Sequence, residues 1–194
     1  TEILERGESS ATTDELVASW QRPRFNLDQD AWVVITKMEP HFVVGYEEVW
    51  NRKDFRNFMG DGYVHPAHRN KGIGTVLIRR MESRVKEQIP LDSTDNQAVI
   101  QNGVSGADTD GVLLHENEGY QPVRYFWRME IALDQKPAPA EPIAGIDIGL
   151  FNSGLDGPYA YQAVTEAFRD HWNYIQPPYE EWSQYLQNES FNPD

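Results

Sequence analysis

Apolar and polar positions change period several times along the chain, and each change marks an element. From residue 73 onward, Ile73, Val76, Leu77, Met81 and Val85 fall on one helical stripe while Arg79, Arg80, Glu82 and Lys86 face away, and Pro90 ends the run. Residues 31–36 and 41–50 are rich in β-branched and aromatic side chains and are separated by Lys37-Met38-Glu39-Pro40, a pattern that predicts a hairpin. Residues 55–64 read as a third strand, in which Gly60 and Gly62 predict a bulge or a place where a ligand lies against backbone. Before these strands, residues 14–21 predict a short helix with Thr12 or Thr13 as its N-cap. After them the pattern predicts a strand near 97–101, a helix near 108–118 ended by Gly119, and a strand over 123–133.

A stiff, proline-rich linker follows at residues 134–142. Beyond it, Ile146, Ile148 and Leu150 alternate with Asp147 and Gly149 as in a half-buried strand over 146–151. Helices are predicted near 158–172, where Ala160, Val164, Ala167, Phe168 and Trp172 form a stripe, and near 178–187. Offset by 166 residues, the chain pairs Glu15 with Glu181, Gln21 with Gln187, Phe25 with Phe191, Asn26 with Asn192 and Asp28 with Asp194, which is how a tandem duplication would look.

Composition narrows the function. The 194 residues suffice for one domain with a real core, or one domain and part of another. Cysteine is absent, so there is no disulfide framework and no thiolate site, which fits a cytoplasmic location. No apolar run approaches a membrane span. The net charge is −14, and residues 134–194 carry ten carboxylates against Lys136 and Arg169. Nucleic-acid binding, which needs clustered cations, is thereby disfavoured.

The candidate chemistry lies at Val64-His65-Pro66-Ala67-His68-Arg69-Asn70-Lys71-Gly72-Ile73-Gly74-Thr75, where a strand ends and a glycine-containing loop opens into the long helix. Gly72 and Gly74 carry no Cβ to block approach to backbone N–H groups, and the positive end of the helix favours a diphosphate. Arg69 and Lys71 add charge. A Walker loop would place its lysine after the last glycine, and a dinucleotide fingerprint would put glycine where Leu77 stands. His65 and His68 have metal-like spacing, but no carboxylate or cysteine is patterned beside them, so no metal site is expected.

The order Val-x-Pro-x-x-Arg-x-x-Gly-Ile-Gly resembles the pyrophosphate-binding motif of the GNAT acyltransferase superfamily, and the element order resembles that fold over roughly residues 12–133. The resemblance implies an α/β (α+β, three-layer) architecture with a mixed central sheet flanked by helices, acetyl-CoA as acyl donor, and a small amine as acceptor. It implies that the Val64 backbone pairs with the pantetheine arm and that its N–H polarises the thioester carbonyl. His65, Arg69, Asn70, Lys71, Gly72, Ile73, Gly74 and Thr75 complete the implied cofactor contacts.

Acyl transfer needs a base for the amine and an acid for the departing thiolate. Glu47 and Glu48 adjoin on one strand, so one of them faces the substrate side of the sheet. The family often carries a tyrosine as Leu-Tyr-x-x-x-Gly-Phe/Tyr to protonate the thiolate. Here the stretch is Leu114-His115-Glu116-Asn117-Glu118-Gly119-Tyr120, so His115 stands in the tyrosine's place, with a water or Tyr120 as the alternative donor. Asp108 and Gly111 replace the usual asparagine and alanine of the same helix.

In domain terms the resemblance reads residues 1–133 as a GNAT domain lacking its first strand and helix, 134–142 as linker, and 143–194 as the opening strand and helices of a second copy. Together with Thr1 in place of a methionine, this reads as a slice of a tandem GNAT protein. The tail would complete the first copy or fill the same place in a symmetric partner, making a homodimer or the rest of a tandem chain the expected macromolecular contact. Two other readings stay open at this point: a non-catalytic CoA-binding or scaffolding half, and a protein-interaction fragment.

Overall fold

The computed structural model describes residues 13–52, 55–89, 98–127, 129–139 and 141–187. The chain divides into two compact units, Thr1–Pro122 and Val123–Asp194.

The first unit is built on a four-stranded mixed sheet. Its elements are α1 (Thr13–Trp20), α2 (Leu27–Asp30), β1 (Ala31–Ile35), β2 (Val43–Asn51), β3 (Asn57–Val64), α3 (Ile73–Gln88), β4 (Val99–Asn102) and α4 (Thr109–Asn117). The strands stand in the order β1-β2-β3-β4, antiparallel through β3 and parallel between β3 and β4. The mixed sheet flanked by helices is the architecture expected of the sequence. The N-cap expectation at Thr12 and the helix end at Pro90 lie outside the described residues.

Side chains alternate between faces along each strand. Register therefore puts Trp32 and Val34 of β1, Gly45, Glu47, Val49 and Asn51 of β2, and Phe58, Gly60, Gly62 and Val64 of β3 on one face. Helix α3 lies against that face, and Val49, Phe58, Ile78, Met81 and Val85 form a fully enclosed core. Each such side chain stabilises the fold by about 1.5–3 kcal/mol. Tyr46 and Glu48 point to the opposite face, where Trp20 at the end of α1 donates from Nε1 to the Tyr46 hydroxyl at 3.0 Å.

The β1–β2 hairpin forms as the sequence predicts. Thr36 closes it, its N–H donating to the Phe42 carbonyl at 3.0 Å and its Oγ1 accepting from the Phe42 N–H at 3.0 Å. At the far end of α3, Asp30 is buried and accepts from Arg84 Nε at 2.7 Å, Gln88 Nε2 at 3.0 Å and the Asn26 N–H at 2.8 Å. This ties α2 to α3, and a buried carboxylate stripped of its cation costs about 3–5 kcal/mol.

The bulge expected at Gly60 and Gly62 is absent. The β2–β3 ladder runs without interruption from Gly45↔Val64 to Asn51↔Phe58, and the irregularity in the sheet lies at Val34/Ile35 of β1. The two glycines instead admit neighbouring side chains. A Cβ on Gly60 would fall 2.3 Å from Met81 Sδ and 2.4 Å from Asn102 Oδ1, and one on Gly62 would fall 2.1 Å from Glu47 Oε2.

The second unit is helical. Helix α5 (Ser153–Phe168) packs on α6 (Tyr179–Ser183) through the rings of Tyr161, Tyr179 and Trp182. It begins five residues before the Pro158 start read from the sequence. Asn152 caps it, accepting from the Gly154 and Leu155 N–H groups at 3.1 Å, while Asp156 accepts from the Asn152 N–H at 2.8 Å. The strands expected over 123–133 and 146–151 are not formed in the described residues. Trp127, Met129, Ile131, Ile148 and Leu150 stand exposed, because a strand needs a neighbour to take its backbone hydrogen bonds. Among the described residues no helix is long and apolar enough to cross a membrane.

Candidate active site

The strands β3 and β4 part company partway along. Their pairing runs only from Asn57↔Val99 to Gly60↔Asn102, whereas β3 continues to Val64, so its edge from Asp61 to Val64 is open on that side. The His65 N–H donates to the Val44 carbonyl of β2 at 2.9 Å. Successive backbone groups of a strand point to opposite sides, so the N–H of Val64 faces the gap. An extended chain laid in this gap would pair as an added strand, and Val64 would offer the donor.

The chain then turns into α3. His65 Nδ1 accepts from the Ala67 N–H at 3.2 Å and starts a single 3₁₀ turn, Pro66–His68. Asn70 and Gly72 take left-handed backbone angles, with φ of 58° and 79°. The first helical bond runs from the Val76 N–H to the Gly72 carbonyl, so the N–H groups of Ile73, Gly74 and Thr75 have no partner within the helix. Space around the Gly72 Cα is open, with nothing within 4 Å of where a Cβ would lie. An open turn leading into three uncommitted donors fits a diphosphate.

The two loop glycines differ. Gly72 faces open space, whereas a Cβ on Gly74 would fall 2.5 Å from Leu114 Cδ2, so Gly74 serves the packing of α3 on α4. Arg69 Nη2 lies 3.7 Å from Asp108 Oδ2, and Lys71 Nζ donates to the Ala67 carbonyl at 3.0 Å. The His65 and His68 rings meet edge to face at 5.7 Å, and no group of three or more His, Asp or Glu suited to a metal occurs among the described residues.

Glu47 and Glu48 have opposite fates. Glu48 is buried on the α1 side, where it accepts from Arg22 and from the Tyr46 hydroxyl. The Arg22 guanidinium in turn stacks 4.0 Å over Trp50 and 4.9 Å over Phe25. Glu48 is thus held in an ion pair within a structural network. Glu47 sits on the α3 side, 4% exposed, and its Oε1 has no hydrogen-bond partner. Burial first, then the negative charges of Asp61 and Glu48, push its pKa up to about 8. It lies against Gly62, two residues from Val64 on the same face.

His115 is committed on both nitrogens. Nδ1 lies 2.8 Å from the Gly111 carbonyl and must donate to it, which leaves Nε2 to accept from Asn102 Nδ2 at 2.9 Å. In this tautomer the ring presents no unengaged N–H to the open edge of β3. The imidazole meets the Tyr120 ring edge to face at 5.4 Å. The Tyr120 hydroxyl is buried, and its pKa is raised by burial first, then by the charge of Glu82 and a hydrogen bond toward it, with Glu47 contributing. This buried hydroxyl, which also feels the charge of Glu47, is the feature that the motif offers only as an alternative to His115. Asn102, at the fork of β3 and β4, was not singled out by any sequence pattern.

A family model described as Acetyltransferase (GNAT) family matches residues 2–101. Over 142 residues the chain is 31% identical to the mycothiol acetyltransferase of Saccharopolyspora erythraea, covering 68% of this chain and 47% of that protein. The solved structure of a GCN5-related N-acetyltransferase from Sphaerobacter thermophilus is similar at 30% identity and a TM-score of 0.73, over 97% of this chain and 57% of that one. The chain spans about half the length of these relatives. With its mixed sheet, its β3 edge open beyond Gly60 and its Gly72 turn into α3, the chain belongs to the acetyltransferase (GNAT) family.

Proposed function

We propose that this chain transfers the acetyl group of acetyl-CoA to a small amine. The observation that carries the reading is the parting of β3 from β4 at Gly60/Asn102, directly ahead of a helix whose first three N–H groups are uncommitted. Bound there, acetyl-CoA supplies the thioester whose carbon the amine attacks. The Ile73, Gly74 and Thr75 N–H groups and Arg69 hold the diphosphate, and the Val64 N–H donates to the thioester carbonyl as negative charge grows on its oxygen. Glu47, whose free oxygen faces no competing donor, takes the proton that the amine must lose. The C–N bond forms as the C–S bond breaks, and Tyr120 gives its proton to the departing sulfur. His115 acts through Asn102 and Gly111, fixing the fork and the turn of α4 beside Tyr120.

Release of free thiol from acetyl-CoA in the presence of a panel of small primary amines tests this. Amine-dependent release supports transfer. Binding of acetyl-CoA without release for any amine favours the second reading, a CoA-binding half whose chemistry is done elsewhere in a longer protein, which the engagement of both His115 ring nitrogens supports.

A further inference from the structure

Gly62 lies opposite Glu47 in the β2–β3 ladder. Its backbone is that of an ordinary strand and not left-handed, so conformation there suits any residue and the glycine answers to space. A Cβ at this position would fall 2.1 Å from Oε2, 2.8 Å from Cδ and 3.2 Å from Oε1 of Glu47. The whole carboxyl group therefore rests on a bare Cα. The titratable groups that bear on it are Asp61 of β3, Glu48 of its own strand and the Tyr120 hydroxyl that follows α4, with Glu82 of α3 beyond Tyr120; all of them are acidic.

We infer that Gly62 is a positioning residue for acyl transfer: its missing side chain makes the recess that seats the Glu47 carboxyl beside the open edge of β3. The inference rests on the reading of Glu47 as the base. Any larger residue at position 62 displaces the carboxyl, because the atoms in the way are the end of a flexible side chain, which moves more cheaply than the strand. Away from the recess the carboxyl is better hydrated, its proton affinity falls, and its distance from the Val64 edge changes. Gly60 forms a second recess on the same face, but Met81 and Asn102 fill it.

The test compares Gly62→Ala and Gly62→Ser with Glu47→Gln and the Glu47→Gln/Gly62→Ala double variant. The readouts are kcat, KM for acetyl-CoA, the pH profile, and a carbon-13 NMR titration of the Glu47 carboxyl in the ligand-free protein. Gly62→Ala is expected to lower kcat about tenfold or more, since small misplacements of a reacting group are costly. KM for acetyl-CoA stays within about twofold, and the acidic limb of the profile and the NMR titration move to lower pH together. The double variant is expected to be no slower than Glu47→Gln alone, the signature of two residues acting as one. A folded Gly62→Ala protein with native kcat and an unmoved Glu47 titration overturns the inference and leaves the base reading intact. A Glu47→Gln protein with native kcat and pH profile overturns the base reading instead. Should Gly62→Ala lose the fold, a Glu47→Ala background, which empties the recess, is expected to restore it; equal loss in both backgrounds overturns the inference.

Discussion

Arg69 Nη2 lies 3.7 Å from Asp108 Oδ2, so a cation of the Gly72 loop is held by the same residue that caps α4. Asp108 uses its other oxygen for the cap, accepting from the Gly111 N–H at 3.1 Å. Asp108→Asn keeps an oxygen for the cap and removes the charge that competes with a diphosphate for Arg69. Acetyl-CoA affinity is expected to rise about two- to fivefold at low salt, the range open to a partly exposed pair, and the gain to fade as salt screens the loop. Titration calorimetry across an ionic-strength series checks this. Unchanged or weaker binding at low salt would show that Asp108 does not compete for Arg69.

Glu47 predicts opposite pH trends for stability and activity. A carboxyl that binds its proton more tightly in the folded chain favours folding while the proton is on. For Glu47 that contribution is complete below its ordinary value of 4.5 and is lost as pH rises through about 8. Glu47→Gln stays uncharged, so its stability relative to the native chain is expected to rise between pH 5 and 9, on the order of 2–4 kcal/mol. Native turnover climbs over the same range, because only the ionised carboxylate takes a proton. Denaturant unfolding at the two pH values measures the first trend, and a constant difference between the chains would remove the buried carboxyl as its source.

Tyr120 and His115 are separable by deletion. Tyr120→Phe removes one buried hydroxyl and keeps the ring, so kcat is expected to fall about 10²-fold with KM for acetyl-CoA and the melting midpoint nearly unchanged. His115→Phe leaves Asn102 Nδ2 and the Gly111 carbonyl without their ring partner, so its first effect is a lower midpoint, with a smaller loss of kcat. The reverse ordering in kcat would return proton delivery to His115.

The strands β1 and β2 were legible from their β-branched and aromatic content, helix α3 from its single apolar stripe, and the Gly72 turn because its glycine and its flanking cations adjoin in sequence. The division of labour between Glu47 and Glu48 was half legible. Alternation sends them to opposite faces, but which of the two is ion-paired depends on Arg22, 26 residues away and placed by the turn after α1. Gly60 and Gly62 show the limit of a local signal: a missing Cβ announces close approach, yet only the packed sheet says that Met81, Asn102 and Glu47 are what approach. In the same way, alternation over 123–133 tells which side chains a strand would bury, and not whether a neighbouring strand is there to pair with it.

The central claim, that acetyl-CoA binds at the Gly72 turn, is tested most directly by the thermal midpoint of the native chain and of Gly72→Asp, each with and without saturating acetyl-CoA. A carboxylate at position 72 would stand in open space where the diphosphate belongs, on a turn with φ of 79°. The native midpoint is expected to rise by several degrees with ligand, since ligand at about 100 times its Kd adds about 2.7 kcal/mol to stability. The Gly72→Asp midpoint, measured against its own ligand-free baseline, is expected not to move. Equal ligand-induced shifts in the two proteins would contradict the assignment.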